Sequence, residues 1–173
     1  MLTNPADIPL IFDFGNTSGK CQEWILLSDN IMGGLTKSKI DYTPNSLVLS
    51  GDISLRNYGG FAAIRTKFNT VDLSNYQGVK IRFKSNNQKF AFTIENSRNW
   101  TQPNYKGKFS SKKEGEWEVA QLYFKDFYEY QIGEPTGAKM ASNILTNVVR
   151  LGIMTIDKKE GPFSIEVDYV AFF

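Results

Sequence analysis

Apolar and polar positions along this chain alternate with a period of two, the spacing of strands that bury one face. Leu47, Leu49, Ile53 and Leu55 fall on one parity, with Gly51 holding that parity between them. Val79, Ile81 and Phe83 alternate with Lys80, Arg82 and Lys84, and Phe90, Phe92 and Ile94 alternate with Lys89, Ala91 and Thr93. Near the end, Phe163, Ile165 and Val167 alternate with Ser164, Glu166 and Asp168. Further strands are predicted over 10–14, 61–68, 105–109, 117–123 and 149–156. Turn-forming segments separate them: NYGG at 57–60, SNYQG at 74–78, SNNQ at 85–88, KKEGE at 112–116 and KKEGP at 158–162.

About nine strands with short polar links suit antiparallel pairing and closure into two packed sheets. The expected fold is all-β, a single jelly-roll β-sandwich over residues 1–173. Helical signals are few. ASNILTNVV at 141–149 predicts two turns capped by Ser142, and LYFKDFYEY, apolar on both parities, is expected to bend out of its strand into a turn. No repeat or biased linker interrupts the chain.

Composition narrows the chemistry. An aromatic share of 14% favours strands, because rings fit a pleated, half-buried surface. A net charge of +2, with basic residues interleaved among acidic ones, lacks the concentrated footprint that a nucleic-acid partner requires. Histidine is absent, which removes the commonest general base, the usual triad and most zinc sites. Cys21 stands alone, so neither an intrachain disulfide nor a cysteine metal cluster is available. The expectation is a protein without catalytic residues. The opening MLTNPADIPLIF has neither a basic start nor a long apolar run, and no stretch has the roughly twenty apolar residues of a membrane helix. No membrane insertion is expected, and the expected setting is cytoplasmic or another soluble, reducing compartment.

Five segments, in order, resemble the complex I intermediate-associated protein family. WILLSDNIMGGLTKSKI, then LVLSGDISLRNYGGFAAIRTKF, correspond to that family's opening, a Trp followed by an Asp-Asn with MGG and then NGGFAS.R. VDLSNYQGVKIRFKSNNQKFAFTI, EGEWEVAQLYFKDF and LGIMTIDKKEGPFSIEVDYVAFF match its later segments, from about Phe12 to Phe173 in all. The chain departs from the pattern at SNNQKF, where the family has a glycine-rich turn before an aromatic residue, and at Leu122-Tyr123, where it has a proline. The resemblance implies a galactose-binding-like jelly roll, related in shape to carbohydrate-binding modules. It further implies a role in assembling a respiratory or photosynthetic membrane complex, with the complex's subunits or assembly intermediates as partners.

Residues able to carry such a role each have a structural reading beside the functional one. In SDNIMGG, Asp29 and Asn30 would present acceptor and amide groups to a polar ligand, or make the side-chain-to-backbone bonds of a tight turn, which is the default for these residues. Asn57 and Tyr58, before Gly59-Gly60, form either a second rim loop facing the first or a bulge entering the next strand. Trp117, on one parity with Val119, is expected in the core, and Trp24 at one end of the sandwich. Trp100, in the polar segment NSRNWTQPNY, is the Trp least readily placed in a core. Arg65 and Arg82 would hold an acidic or hydroxylated ligand if both project onto one concave face; otherwise they belong to solvated faces. Asp13, Glu166 and Asp168 would meet if the first and last strands pair, and a structural Ca²⁺ would suit them. Two functional expectations follow: an assembly or scaffold protein docking a partner through loops at one end of the sandwich, and alternatively a module binding a glycan or other small polar ligand on the concave sheet face.

Overall fold

The computed structural model describes residues 10–15, 24–86 and 88–173; Cys21 and most of the opening segment lie outside them. Thirteen strands are present among the described residues, in two antiparallel sheets. In the first sheet, β3 (Lys37–Tyr42), β4 (Leu47–Ile53), β13 (Gly161–Phe172), β6 (Gly78–Ser85) and β9 (Glu118–Tyr123) lie in that order, and β1 (Ile11–Asp13) also pairs with β13. The second sheet runs β11 (Glu134–Lys139), β10 (Tyr128–Gln131), β8 (Asn104–Ser110), β7 (Lys89–Glu95), β12 (Arg150–Thr155), β5 (Ala62–Arg65), β2 (Ile25–Ser28). This is the expected two-sheet sandwich.

The alternating apolar sets meet between the sheets. Leu47, Leu49, Ile53, Val79, Ile81 and Phe83 from one sheet face Ile64, Phe90, Phe92, Ile94, Leu151 and Ile153 from the other, all buried. β13 shows how the pattern survives an irregularity. Phe163, Ile165 and Val167 point inward, a bulge falls between Val167 and Tyr169, and the inward set resumes one residue out of step at Val170 and Phe172. Trp24 is buried at one end, edge-on to Phe12 and Phe14 at 5.5 Å each.

Several expectations need correction. Leu55 is exposed, because β4 stops at Ile53 and the chain turns through Arg56–Tyr58. Trp117 and Val119 are exposed rather than core, since Ala120 and Leu122 supply the inward parity of β9 by pairing with Ile81 and Val79. Trp117 instead lies under the Arg82 guanidinium and the Lys84 ammonium, at 4.7 and 4.9 Å from its ring. The 141–149 segment makes a 3-10 helix over Ser142–Asn147, with Ala141 and not Ser142 at its N-cap. LYFKDFYEY bends as expected, through Phe124–Asp126. The strands β2, β3, β10 and β11 are additional to those the apolar alternation predicts.

Candidate functional site

The SDNIMGG segment leaves β2 at Ser28 and turns at once through the 3-10 helix Asp29–Met32. Gly33 completes the turn at φ +85°, a conformation that favours glycine. Gly34 then passes so close to Asp29 that an added Cβ would fall 2.3 Å from Oδ1. The Asp29 side chain is therefore enclosed, and it is only 1% exposed. Its carboxylate accepts the Thr36 N–H at 3.1 Å, the Thr36 hydroxyl, the Gly60 N–H at 2.7 Å and the Phe61 N–H at 3.3 Å. Burial pushes this carboxyl up, but those four donors outweigh it and hold it below the ordinary carboxylate value.

Asp29 thus fastens the first loop to NYGGF. Asn57 adds a second tie, donating from Nδ2 to the Gly33 carbonyl at 3.2 Å. Asn57 and Tyr58 both have positive φ, 54° and 60°, a conformation rare for residues other than glycine. Asn30 is exposed but turned to its own loop, accepting from the Ser28 hydroxyl at 2.5 Å. The two loops face each other, as one of the two readings of NYGG required. Among the side chains they offer to solvent are large apolar ones, Ile31 at 69% exposure, Met32 at 64% and Tyr58 fully exposed. Leu35 and Leu55 lie beside them in sequence, with the polar Asn30, Arg56 and Asn57 among them.

Trp100 is 73% exposed, but it follows β7 where Glu95 pairs with Arg150 and Asn104. The Asp29 loops adjoin the other end of that sheet, where Ser28 pairs with Ala62 and Phe90 with Thr155. Trp100 therefore does not share their rim. Arg65 and Arg82 do not share a face either: Arg65 is on β5 of the second sheet and Arg82 on β6 of the first. Strand parity sends them outward on opposite sides of the sandwich, so they cannot grip one small ligand.

The first and last strands do pair, with Asp13 opposite Tyr169. Asp168 is bonded to Arg82, while Glu166 meets Lys84 at 2.9 Å and accepts from the Ser46 hydroxyl at 2.6 Å. Asp13 accepts the Gly15 N–H at 3.0 Å. Among the described residues no three Asp, Glu, His or Cys side chains come together as a metal site. A hollow of about 510 Å³ is lined by Thr43, Asn45 and Trp117 together with the ion pairs Arg82–Asp168 and Lys84–Glu166, so its charged groups are already paired.

The outer face of the second sheet holds a polar row that sequence reasoning did not assemble. Register aligns Tyr128, Lys106, Thr93, Gly152, Arg65 and Ile25 across six strands. Glu95 and Asn104 lie in the next row. Arg150 takes both its hydrogen bonds from Nε and Nη2 to Glu95, at 3.1 and 2.6 Å, and stacks on Phe68. Arg65 reaches Glu95 only at 3.6 Å and its buried Nε has no partner. Lys106 is 8% exposed with Tyr130 beneath its ammonium at 4.4 Å. Burial, then Lys108 and Lys158, lower its pKa, against a smaller opposing pull from Glu134. The alternation of Tyr105, Gly107 and Phe109 did signal that Asn104, Lys106 and Lys108 face outward. Nothing in the sequence signalled that Lys106 would be covered.

These features define a jelly-roll β-sandwich of the kind found in carbohydrate-binding modules. The family 11 carbohydrate-binding module of a cellulosomal cellulase of Clostridium thermocellum is similar at TM-score 0.66 and 17% identity, with 95% of this chain and 94% of that one covered. The same module in complex with a β-1,3-1,4-mixed-linked tetrasaccharide gives TM-score 0.61 at 17% identity, covering 90% and 92%. A family 29 carbohydrate-binding module variant complexed with cellulohexaose gives 0.55 at 10% identity, covering 95% and 90%. Residues 12–167 match the model of the family described as complex I intermediate-associated protein 30, and the chain belongs to that family. No curated protein matches it in sequence. Among the described residues, no helix is long and apolar enough to cross a membrane.

Proposed function

We propose that this protein is a non-catalytic assembly factor that docks a subunit or assembly intermediate of a membrane complex through the two loops joined at Asp29. The observation that carries this reading is the exposure of Ile31, Met32 and Tyr58 on loops held rigid by a buried, fully bonded carboxylate. Exposed apolar side chains of this size mark interaction surfaces, and a pre-ordered loop spares part of the ordering cost of binding. Tyrosine is also among the residue types enriched at interface hot spots. Family membership supports the assembly role and the kind of partner.

The test is affinity capture of the tagged chain from gently solubilised native membranes, with the subunits of each complex quantified. The proposal expects subunits of one complex, and their loss from a Tyr58→Ala or an Ile31→Ser/Met32→Ser variant whose unfolding midpoint is unchanged. Equal recovery by wild type and both variants would overturn it.

A second reading rests on a different observation. The outer face of the seven-stranded sheet carries buried polar atoms without partners, Arg65 Nε and Asn104 Oδ1, of the sort a polar ligand satisfies. The likeness in fold to carbohydrate-binding modules, one of them in complex with a tetrasaccharide, supports a glycan as that ligand.

A further inference from the structure

The polar row on the second sheet carries two cationic side chains, Lys106 and Arg65. Lys106 and Arg65 stand three strand spacings apart, roughly 14 Å between Cα atoms, with only Thr93 and Gly152 between them. Gly152 keeps this stretch low, because a Cβ there would meet Thr93 Oγ1 at 2.7 Å and Arg65 Cβ at 3.2 Å. In the neighbouring row the buried Ala91 and Ala63 stand on either side of the partly exposed Met154. Lys106 and Arg65 thus flank a floor that is low at Thr93 and Gly152 and is bordered on one side by Met154.

The charges on this face do not cancel. Arg65, Lys106, Arg150 and Lys108 oppose Glu95, which Arg150 occupies, and Glu134, which lies beyond ion-pair distance of Lys106. Among the described residues, the Lys106 ammonium has the Tyr130 ring beneath it but no hydrogen bond or ion pair, and Arg65 has one long ion pair and a bare Nε. A buried cation without a counter-charge is costly, and an incoming carboxylate would relieve that cost. Yet an anion alone would leave the face incomplete. Asn104 Oδ1 is a buried acceptor that needs a donor, and the partly exposed Thr93 hydroxyl at the row's centre is open to a ligand hydroxyl. The complementary ligand carries carboxylates for Lys106 and Arg65 and hydroxyl donors for Asn104 and Thr93.

Resting on the second reading above, we infer that this face binds an acidic glycan, a sugar chain bearing uronic-acid carboxylates, laid across strands β8, β7, β12 and β5. Lys106 and Arg65 bind the acidic groups, and Asn104 and Thr93 bind hydroxyls. Neutral glycans meet only half of these requirements.

The test is calorimetric titration of the full chain with tetragalacturonate and with cellotetraose, for the wild type and for Lys106→Met. Tetragalacturonate is expected to bind at least about tenfold more tightly than cellotetraose, the worth of one charge-assisted hydrogen bond. Lys106→Met should weaken it by about tenfold without lowering the unfolding midpoint, because the substitution removes an unpaired buried charge. Amide shifts in the wild type, mapped by NMR, should centre on Thr93, Lys106 and Gly152, which locates the site independently of any variant. Equal binding of the two sugars, or tetragalacturonate binding that Lys106→Met leaves intact, would overturn the acidic specificity while leaving a sheet-face ligand in place. Binding of neither sugar at millimolar concentration would overturn both.

Discussion

The Asp29 carboxylate accepts the N–H of Gly60, thirty-one residues further along the chain, at 2.7 Å, and Gly34 and Gly59 are both packed against the same side chain. Together with the Phe61 N–H and the Asn57–Gly33 bond, this contact joins two glycine-containing loops into a single surface. The residues that crowd Asp29 have no Cβ, and the residues beyond them, Ile31, Met32 and Tyr58, have large side chains aimed at solvent. Local chain geometry and the outward apolar display therefore have a common cause.

Asp29→Ala should destabilise the fold by about 3 kcal/mol or more, because it strips partners from three backbone N–H groups and one hydroxyl in a closed site. Urea unfolding followed by far-UV circular dichroism measures this. A loss below about 1 kcal/mol would mean that solvent reaches those donors.

Acid should act through the same group. Its carboxyl titrates below the ordinary 3.8 in the folded chain, so its contribution to stability is complete above 3.8 and is lost as pH falls through the lower folded value. Glu166 behaves alike: burial raises its carboxyl, the Ser46 hydroxyl and Lys84 lower it further, and the net direction from 4.5 is down. Unfolding free energy measured from pH 6 to pH 2 should fall at the acidic end, and Asp29→Asn should flatten that fall while reducing stability at neutral pH.

The exposed loop residues should be expendable for folding. Tyr58→Ala and Ile31→Ser are expected to change stability by no more than about 0.5 kcal/mol, as is usual for surface positions. Chemical denaturation of the purified variants checks this. A large loss would mean that these side chains support the loops rather than a partner.

The three tryptophans should separate cleanly. Trp24→Ala should cost about 3–5 kcal/mol, whereas Trp117→Ala, which removes only a partly exposed ring under two cations, should cost less than about 1 kcal/mol. In variants that each retain one tryptophan, acrylamide should quench Trp100 most and Trp24 least.

The sandwich was legible because Val79–Phe83, Phe90–Ile94 and Phe163–Val167 each keep one strict parity, and burial of one sheet face demands that. β9 was misread because Trp117 and Val119 are as apolar as Ala120 and Leu122, so parity alone could not say which pair faces in. β10 and β11 were missed because Glu134–Lys139 is exposed throughout and has no alternation to read. At the rim, the turn chemistry of Asp29 and the paired glycines was visible, whereas the tie to Gly60 is a tertiary contact. The polar row could not be assembled from sequence at all, since Lys106, Thr93, Gly152 and Arg65 come from four strands and only register brings them together.

Site-directed photo-crosslinking tests the central claim most directly. A photoreactive amino acid placed at Tyr58, and in a second variant at Val119 on the outer face of the other sheet, would be activated in native cells. Docking through the Asp29 loops predicts adducts from position 58 to one subunit or assembly intermediate of a membrane complex, with none from position 119. Adducts to such a subunit from position 119 alone, or from neither position in cells where the complex is being built, would contradict it.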